Sequence, residues 1–574
     1  MHTTTATESQ LSMSSIEEIP TAEDDATSDL TSSPSAVERD MNTIDEEKQT
    51  YQPEEAIEPE DMPNLPYRTL TGNASMAEYT HETPTGLQEV LSNRGDGKLE
   101  RFELVMFKPS DAGNPKNWSK GYKWWCTMVV ALTCFIVAFN SAVITADIEG
   151  VCEEFGVSQE VGLLSVTLFV VGFGIGPMVF APLSEIIGRR RVYAVTLLIG
   201  VVFIIPCAVA ENIGTLLVCR FIDGIAFSAP MTLVGGTLAD MWKNEERGVP
   251  MAVFSAAPFS GPAIGPLVGG FLADATGWRW LYWIQLIISG ICWLLITFTV
   301  PETYAPTILS RRAKQMRKEL KDDKYVTELE LNERALAERL RIFLIRPFLL
   351  LFREPIVLFI SLYMSVLYGL LYMFFVAYPV IYMEGKGYSA GITGLMFIPI
   401  AVGVVLSACC APLVNKHYLT LVRKHNGKPP AEARLVPMMI SCWLIPIGMF
   451  IWAWTSYPSL SWAGPAMGGF PVGFGFIFLY NSANNYLVDS YQHQAASALA
   501  AKTFLRSFWG ASTVLFTIQM FHTLGYQWSG SLLGFISLAC CAIPFVFYFK
   551  GAAIRRMSHY AYAGDEESDT KGAQ

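Results

Sequence analysis

From about residue 120 to residue 550 the chain alternates long apolar runs with short polar interruptions. The run WWCTMVVALTCFIVAFNSAVIT at 124–145 is representative, with one Asn and a few hydroxyls among large apolar side chains. Crossing the hydrocarbon core takes about 20 apolar residues in a helix. Backbone groups in lipid must be paired within the segment, so each run predicts a helix rather than an isolated strand. A window of about 19 residues predicts twelve spans, numbered here in chain order: 124–145, 162–184, 192–210, 214–238, 250–272, 280–299, 356–382, 392–414, 436–455, 462–487, 496–520 and 528–549. The predicted fold class is an all-α membrane protein of twelve transmembrane helices.

The interruptions fix the orientation. With both termini in the cytoplasm, the outward loops carry only Arg279 and Lys386 as basic residues. The inward ones carry Arg189, Arg190, Arg191, Lys243, Arg247 and the basic residues of 301–354 and 415–435. Basic residues collect on the cytoplasmic side of membrane proteins, so the chain is N-in and C-in. The long stretch between spans 6 and 7 divides the helices six and six. APLSEIIGRRR at 181–191 and APLVNKHYLT at 411–420 close spans 2 and 8, matching places in the two halves. A duplicated six-helix unit, common in secondary transporters, accounts for the echo.

Composition changes the picture at the ends. The chain is 51% hydrophobic and 16% charged with net charge −11, against about a quarter charged residues in soluble domains. The acidic excess is concentrated in residues 1–105, which are rich in Ser, Thr, Glu, Asp and Pro. Such a segment buries too little apolar surface to offset its ordering entropy and is expected to be disordered. No cleavable leader is expected at its start. The predicted organisation is a disordered acidic cytoplasmic tail at 1–105, a six-helix bundle at 106–300, a cytoplasmic linker at 301–354, a second bundle at 355–550 and a cytoplasmic tail at 551–574. The eleven cysteines have no metal or disulfide spacing and read as small buried hydrophobes. The first outer loop carries Asp147, Glu149, Glu153, Glu154 and Glu160 without a basic residue. It is either an ordinary solvated loop or an acidic mouth that concentrates cations.

Candidate chemistry lies inside the spans, where an ionisable group is costly and marks function by default. Asp223 in span 4 is the one acid away from the span edges, and Arg220 stands one turn before it. The i, i+3 spacing lets the two meet on one face, as a locked ion pair or as a proton carrier whose protonation follows its surroundings. Span 11 carries Lys502, placed to snorkel to the cytoplasmic interface, and Arg506, deeper and in need of a partner or a wet cavity. Asn140, Tyr368, Tyr372, Asn481, Asn484 and Arg506 are the candidates for lining a substrate cavity, with interhelical polar packing as the alternative for the asparagines. Aromatic faces such as those of Tyr368 and Tyr372 suit organic cations and planar drugs. FSGPAIGPLVGG at 259–270 puts Gly261, Gly265 and Gly269 at i, i+4 and i+8, with Pro262 and Pro266 beside them. Small residues in such a stripe let two helices approach closely, either as a plain packing seam or as a bent seam against the other half. No ATP loop and no metal-spaced cluster is present. No cofactor and no nucleic-acid partner is expected, and an ion gradient is the expected energy source.

Taken together, these motifs resemble the major facilitator superfamily, and among its members the fungal twelve-span drug:proton antiporters. APLSEIIGRRR resembles its signature between spans 2 and 3, LLVCRFIDG (216–224) its span 4 arginine motif, and SGPAIGPLVGG its span 5 antiporter motif. NPKNWS, LADMWKNEERG, GWRWLYW, VPETYAP, RPFLLLFREPI, NNYLVDSY and TFLRS are similar to further pieces. The resemblance implies the major facilitator fold. It implies a cytoplasmic gate in which Glu185, Gly188, Arg189 and Arg190 latch to Asp240, stabilising the outward-facing state. Proton coupling would run through Arg220, and the chain departs from the family at Asp223, where a small or neutral residue is expected. The expected function is export of drugs, polyamines or secondary metabolites by proton antiport. The protein would act as a monomer in the plasma membrane, or alternatively the vacuolar membrane. The rivals are a proton-coupled importer or uniporter of organic acids or other metabolites, and a non-transporting receptor. An enzyme is not expected.

Overall fold

The computed structural model describes residues 83, 85–93, 99–243, 246–327, 330, 336–424, 430–491 and 494–558. Most of the predicted acidic tail and the end of the C-terminal tail lie outside these residues.

All twelve predicted spans are helices. Spans 1 to 6 are Lys120–Ala142, Gln159–Ile187, Arg189–Ala208, Ile213–Met241, Gly248–Thr276 and Trp278–Thr299. Span 7 is Pro355–Pro379, span 8 is Ile398–Lys424, and span 9 is Leu444–Thr455, preceded by the short turn Val436–Ser441. Spans 10 and 11 are Ala463–Ser490 and Ala495–Leu524, and span 12 is Tyr526–Cys540 continued by Ala542–Met557. Among the described residues, and taken together with the turns that continue them, eleven of the twelve are long and apolar enough to cross a bilayer. Span 11 is long enough at 30 residues, but Lys502, Arg506 and its Ser and Thr residues dilute its apolar character. Its polarity is explained below by what it faces.

Local chemistry sets the helix ends. The Asn212 carboxamide oxygen accepts from Thr215 N at 2.8 Å and starts span 4, satisfying one of the free N–H groups of a first turn. Gly277 between spans 5 and 6 and Gly525 between spans 11 and 12 have φ of 79° and 78°. Only glycine enters that region without a Cβ clash. The two tight corners occupy the same place in each half, as a duplicated unit requires.

The packing repeats likewise. Span 1 packs on span 5 as span 7 packs on span 11, and span 2 on span 4 as span 8 on span 10. Between halves, span 2 lies along span 11 and span 5 along span 8. Buried aromatic and aliphatic side chains fill both halves, while Val195, Phe298, Phe359 and Phe549 point outward into what must be lipid.

Two expectations are corrected here. Disorder was expected as far as residue 105, but strands β1 (Leu87–Asn93) and β2 (Leu99–Val105) pair antiparallel within that segment. β2 also pairs in parallel with β3 (Tyr325–Val326) of the linker. Val105 and Phe107 are buried against Leu309 and Ala313 of the linker helix Ala305–Leu320. Composition averaged over a hundred residues hid a short apolar patch whose partner lies two hundred residues away. The linker is itself ordered there, and Arg312 holds Asp111 at 2.5 Å. The second correction is Lys502. It does not snorkel outward but is buried in the bundle, because Asn484 accepts from its ammonium and the Tyr480 ring lies 4.6 Å away.

Candidate functional site

The cytoplasmic ends of spans 2, 3 and 4 build a buried charge cluster. Gly188 closes span 2 with φ 96°, and a Cβ there would also press on the Glu302 carboxyl, 2.9 Å from its carbon. The residue is glycine for both reasons. Span 3 then starts at Arg189, whose backbone N–H donates to Glu302 Oε1 at 2.9 Å. Thr303 N and Tyr304 N donate to the same oxygen at 3.2 and 3.1 Å. The Arg189 side chain runs to Asp240 at the end of span 4, with Nε 2.6 Å from Oδ2. Thr303 Oγ1 donates to that carboxylate at 3.4 Å, and the Tyr304 ring packs 5.2 Å from the guanidinium carbon. Glu185 is buried close enough to act on Arg189 electrostatically.

Arg190 lies apart from this cluster. It is exposed and donates to Thr297 O at 2.9 Å. Glu302 takes the place that sequence reasoning left empty. The motif VPETYAP carried that signal, but a carboxylate 113 positions from the backbone N–H it caps has no spacing rule to announce it. A second ion pair of this kind was also missed. In the other half, Arg434 Nε lies 2.8 Å from Asp489 Oδ2 and its guanidinium carbon 3.5 Å from the Tyr418 ring centroid. Arg434 precedes span 9 and Asp489 ends span 10, the positions that Arg189 and Asp240 hold at spans 3 and 4.

Inside the first half, Arg220 and Asp223 meet as their spacing predicts, Nη1 to Oδ2 at 3.2 Å, both with side chains 0% exposed. Arg220 also donates to Ser165 O at 3.2 Å and Asn140 O at 3.1 Å, and its guanidinium carbon sits 4.3 Å from the Phe169 centroid. Around this pair Asp223 Oδ1, Asn140 Oδ1, the Tyr282 hydroxyl and both polar atoms of Gln285 have no hydrogen-bond partner among the described residues. Buried polar atoms left unmatched are costly, and here several lie on neighbouring turns of spans 1, 4 and 6. Asn140 belongs to this cluster: its amide donates to Ser289 Oγ at 2.8 Å, and it does not line the central cavity.

The glycine stripe of span 5 packs within its own half. Positions 261, 265 and 269 abut span 1 and the turn after it. A Cβ at 261 would run into Phe135 O, one at 265 would sit 3.2 Å from Val143 N, and one at 269 would sit 2.7 Å from Val143 O. The seam against the other half uses the neighbouring face instead. Gly270 abuts Ala390 O, Gly394 abuts Pro266 O, and the Asp274 carboxylate accepts from Gly391 N at 2.9 Å. Pro262 lines the central cavity and Pro266 belongs to this outer seam.

The central cavity between the halves is lined by Phe173, Phe259, Tyr368, Tyr372, Tyr480 and Arg506, among others, and measures only about 10 Å³. Tyr372 closes it by donating to Ser141 Oγ across the halves at 3.1 Å. Asn481 bridges the halves too, accepting from Ser255 Oγ at 2.9 Å, while Asn484 is occupied by Lys502. Of the two ring faces expected to be open to a cation, that of Tyr368 is already taken. The Arg506 guanidinium carbon lies 4.6 Å from the Tyr368 centroid and 5.3 Å from that of Tyr480. A larger cavity of about 160 Å³ opens on the outward side, where Asp147, Glu149, Asp274 and Glu384 contribute to the wall. Among the described residues there is no His, Cys, Asp and Glu grouping that could hold a metal, and all eleven cysteines are free.

Comparison with known proteins identifies the architecture. In overall fold the chain is similar to the proton:xylose symporter XylE, with TM-score 0.55 at 17% identity over 75% of this chain and 97% of that one. In sequence it is 66% identical over 514 residues to the transporter paaT of Penicillium rubens, covering 89% of this chain and 94% of that protein. It is 39% identical over 499 residues to the efflux pump FUB11 of Gibberella moniliformis, covering 84% of each. It is 39% identical over 466 residues to polyamine transporter 3 of Saccharomyces cerevisiae, covering 81% of this chain and 74% of that one. Residues 130–514 match the family described as Major Facilitator Superfamily. Two six-helix halves, a buried charge cluster at the ends of spans 2, 3 and 4, and that match together make this chain a multi-pass membrane transporter of the major facilitator superfamily, similar to its fungal efflux and multidrug members.

Proposed function

We propose that this transporter exports small organic molecules in exchange for protons, the two halves rocking about the central cavity. The observation that carries the reading is the Arg220–Asp223 pair. It is a carboxylate wholly enclosed in the membrane, with one oxygen engaged by Arg220 and the other open to a proton. Burial favours the protonated form and the guanidinium favours the ionised one. A change in water access as the halves rock tips that balance, which is what a carrier needs. Outward direction is supported by relatives that carry the name efflux pump. The plasma membrane is the proposed site of action, and the Arg189–Asp240 latch is proposed to hold one of the two access states.

The test is Asp223→Asn in proteoliposomes. The substrate comes from a growth-inhibition panel of a deletion strain covering azoles, polyamines and organic acids. Asn keeps an acceptor for Arg220, so the protein should fold and insert, while substrate-dependent proton movement is lost. Normal pH-driven export by the variant would refute the carrier role. Proton flow in the same direction as substrate would identify an importer instead.

A further inference from the structure

We infer that the substrate site of this transporter takes an organic anion, a carboxylate on an aromatic or otherwise apolar body. The inference deepens the proposed function and rests on the central cavity being its substrate site. Arg506 is 4% exposed and lines that cavity. Its Nε has no hydrogen-bond acceptor among the described residues. Lys502, one turn earlier on the same helix, is 1% exposed, and its one hydrogen-bond acceptor is the neutral Asn484. No carboxylate lines the cavity.

Arg506 thus faces the cavity and Lys502 packs beside it on the Tyr480 ring, and neither has a counter-anion among the described residues. Isolated buried charge is among the costliest things a membrane protein can hold. The Tyr368 and Tyr480 rings offset part of that cost through their faces. The remainder is available to whatever neutralises the pair. Asp223 and Asp240 of the first half are already engaged, by Arg220 and Arg189.

The shape of the site selects the anion. A guanidinium offers a planar fork that matches a carboxylate, and Phe173, Phe259, Tyr368 and Tyr372 surround it with ring surface. With room for about one water, the site is shut in this state. Tyr372 holds it shut through Ser141, and opening must release that bond. A permanently cationic substrate would meet like charge at its destination and find the Tyr368 and Tyr480 faces occupied.

The experiment is equilibrium binding to the full chain in nanodiscs without a pH gradient, read by intrinsic fluorescence and thermal shift. Benzoate, its neutral amide benzamide and the cation benzylamine share one ring and differ in charge. Benzoate should bind at least tenfold more tightly than benzamide, with benzylamine weakest. Arg506→Gln should reduce benzoate to the level of benzamide, and Arg506→Lys should keep part of the preference. Equal binding of the three probes, benzylamine preference, or benzoate preference surviving in Arg506→Gln each overturns the inference. Chloride binding as tightly as benzoate would overturn its organic part. Asp223→Asn should leave benzoate binding intact, so loss of antiport and loss of anion selectivity are separate failures.

Discussion

Removing Asp240 gives the sharpest test of the cytoplasmic latch. Its partner Arg189 is 1% exposed and sits 2.6 Å away. Asp240→Ala therefore strands a guanidinium in a place with no water to take over. Breaking a buried pair by deleting one partner costs about 3–5 kcal/mol. The Tyr304 ring 5.2 Å away touches the guanidinium before and after the change, so it does not offset this cost. A loss of about 3–5 kcal/mol is roughly a hundred- to several-thousandfold in the ratio of latched to open forms at about 1.4 kcal/mol per decade. Hydrogen exchange at 303–304 reads this directly, because those two amides donate to Glu302 inside the same cluster. Their exchange should rise by about that factor, with expression unchanged. The control is the double variant Arg189→Gln with Asp240→Asn. It leaves a neutral hydrogen-bonded pair and no stranded charge, so it should exchange more slowly than Arg189→Gln or Asp240→Asn alone. Additive effects of those single variants, or unchanged amides in Asp240→Ala, would refute the reasoning.

Two further outcomes follow from the packing. Gly261→Ala should be clearly more damaging to melting temperature than Gly265→Ala. The first Cβ runs into Phe135 O, while the second needs shifts of only a few tenths of an ångström at 3.2–3.4 Å. Equal melting temperatures would show that the stripe is not the close contact it is taken to be. For the tail, the bond from Arg312 holds the Asp111 carboxyl below its usual 3.8, helped by Gly113 N–H against the opposing effect of burial. A depressed value in the folded state makes the clasp fully present above about pH 4 and lost as pH falls through the lower value. Amide protection of 99–107 should therefore be flat from about pH 5 to about pH 7, and Arg312→Ala should lower it by about 1 kcal/mol or less for so exposed a pair. A titration of that protection near neutrality would contradict the assignment.

Much of the site was legible because its residues violate the composition of the helices that carry them. Asp223 and Arg506 stand out in apolar runs, and both prove to be buried and central. The i, i+3 spacing of Arg220 and Asp223 was enough to pair them, since one helix determines both positions. Asn140, Glu302 and Lys502 were misread or missed for the converse reason. Each has its role from a partner on another element: Ser289 for Asn140, the Arg189 amide for Glu302, Asn484 for Lys502.

By itself the sequence determined the number of spans, their sides of the membrane and the division into halves. Those follow from hydropathy and charge, which act along the chain over about twenty residues at a time. Only the tertiary structure decided which face of span 5 meets which neighbour. Gly261, Gly265 and Gly269 lie against span 1 and the turn after it, and Pro266 and Gly270 lie against residues 390–394, just before span 8. A helix places glycine and proline faces within a quarter turn of each other, and no local rule says which neighbour each will touch. The same holds for Lys502 and Arg506 of span 11, whose lack of a carboxylate partner among the described residues becomes visible only once the helices are packed together.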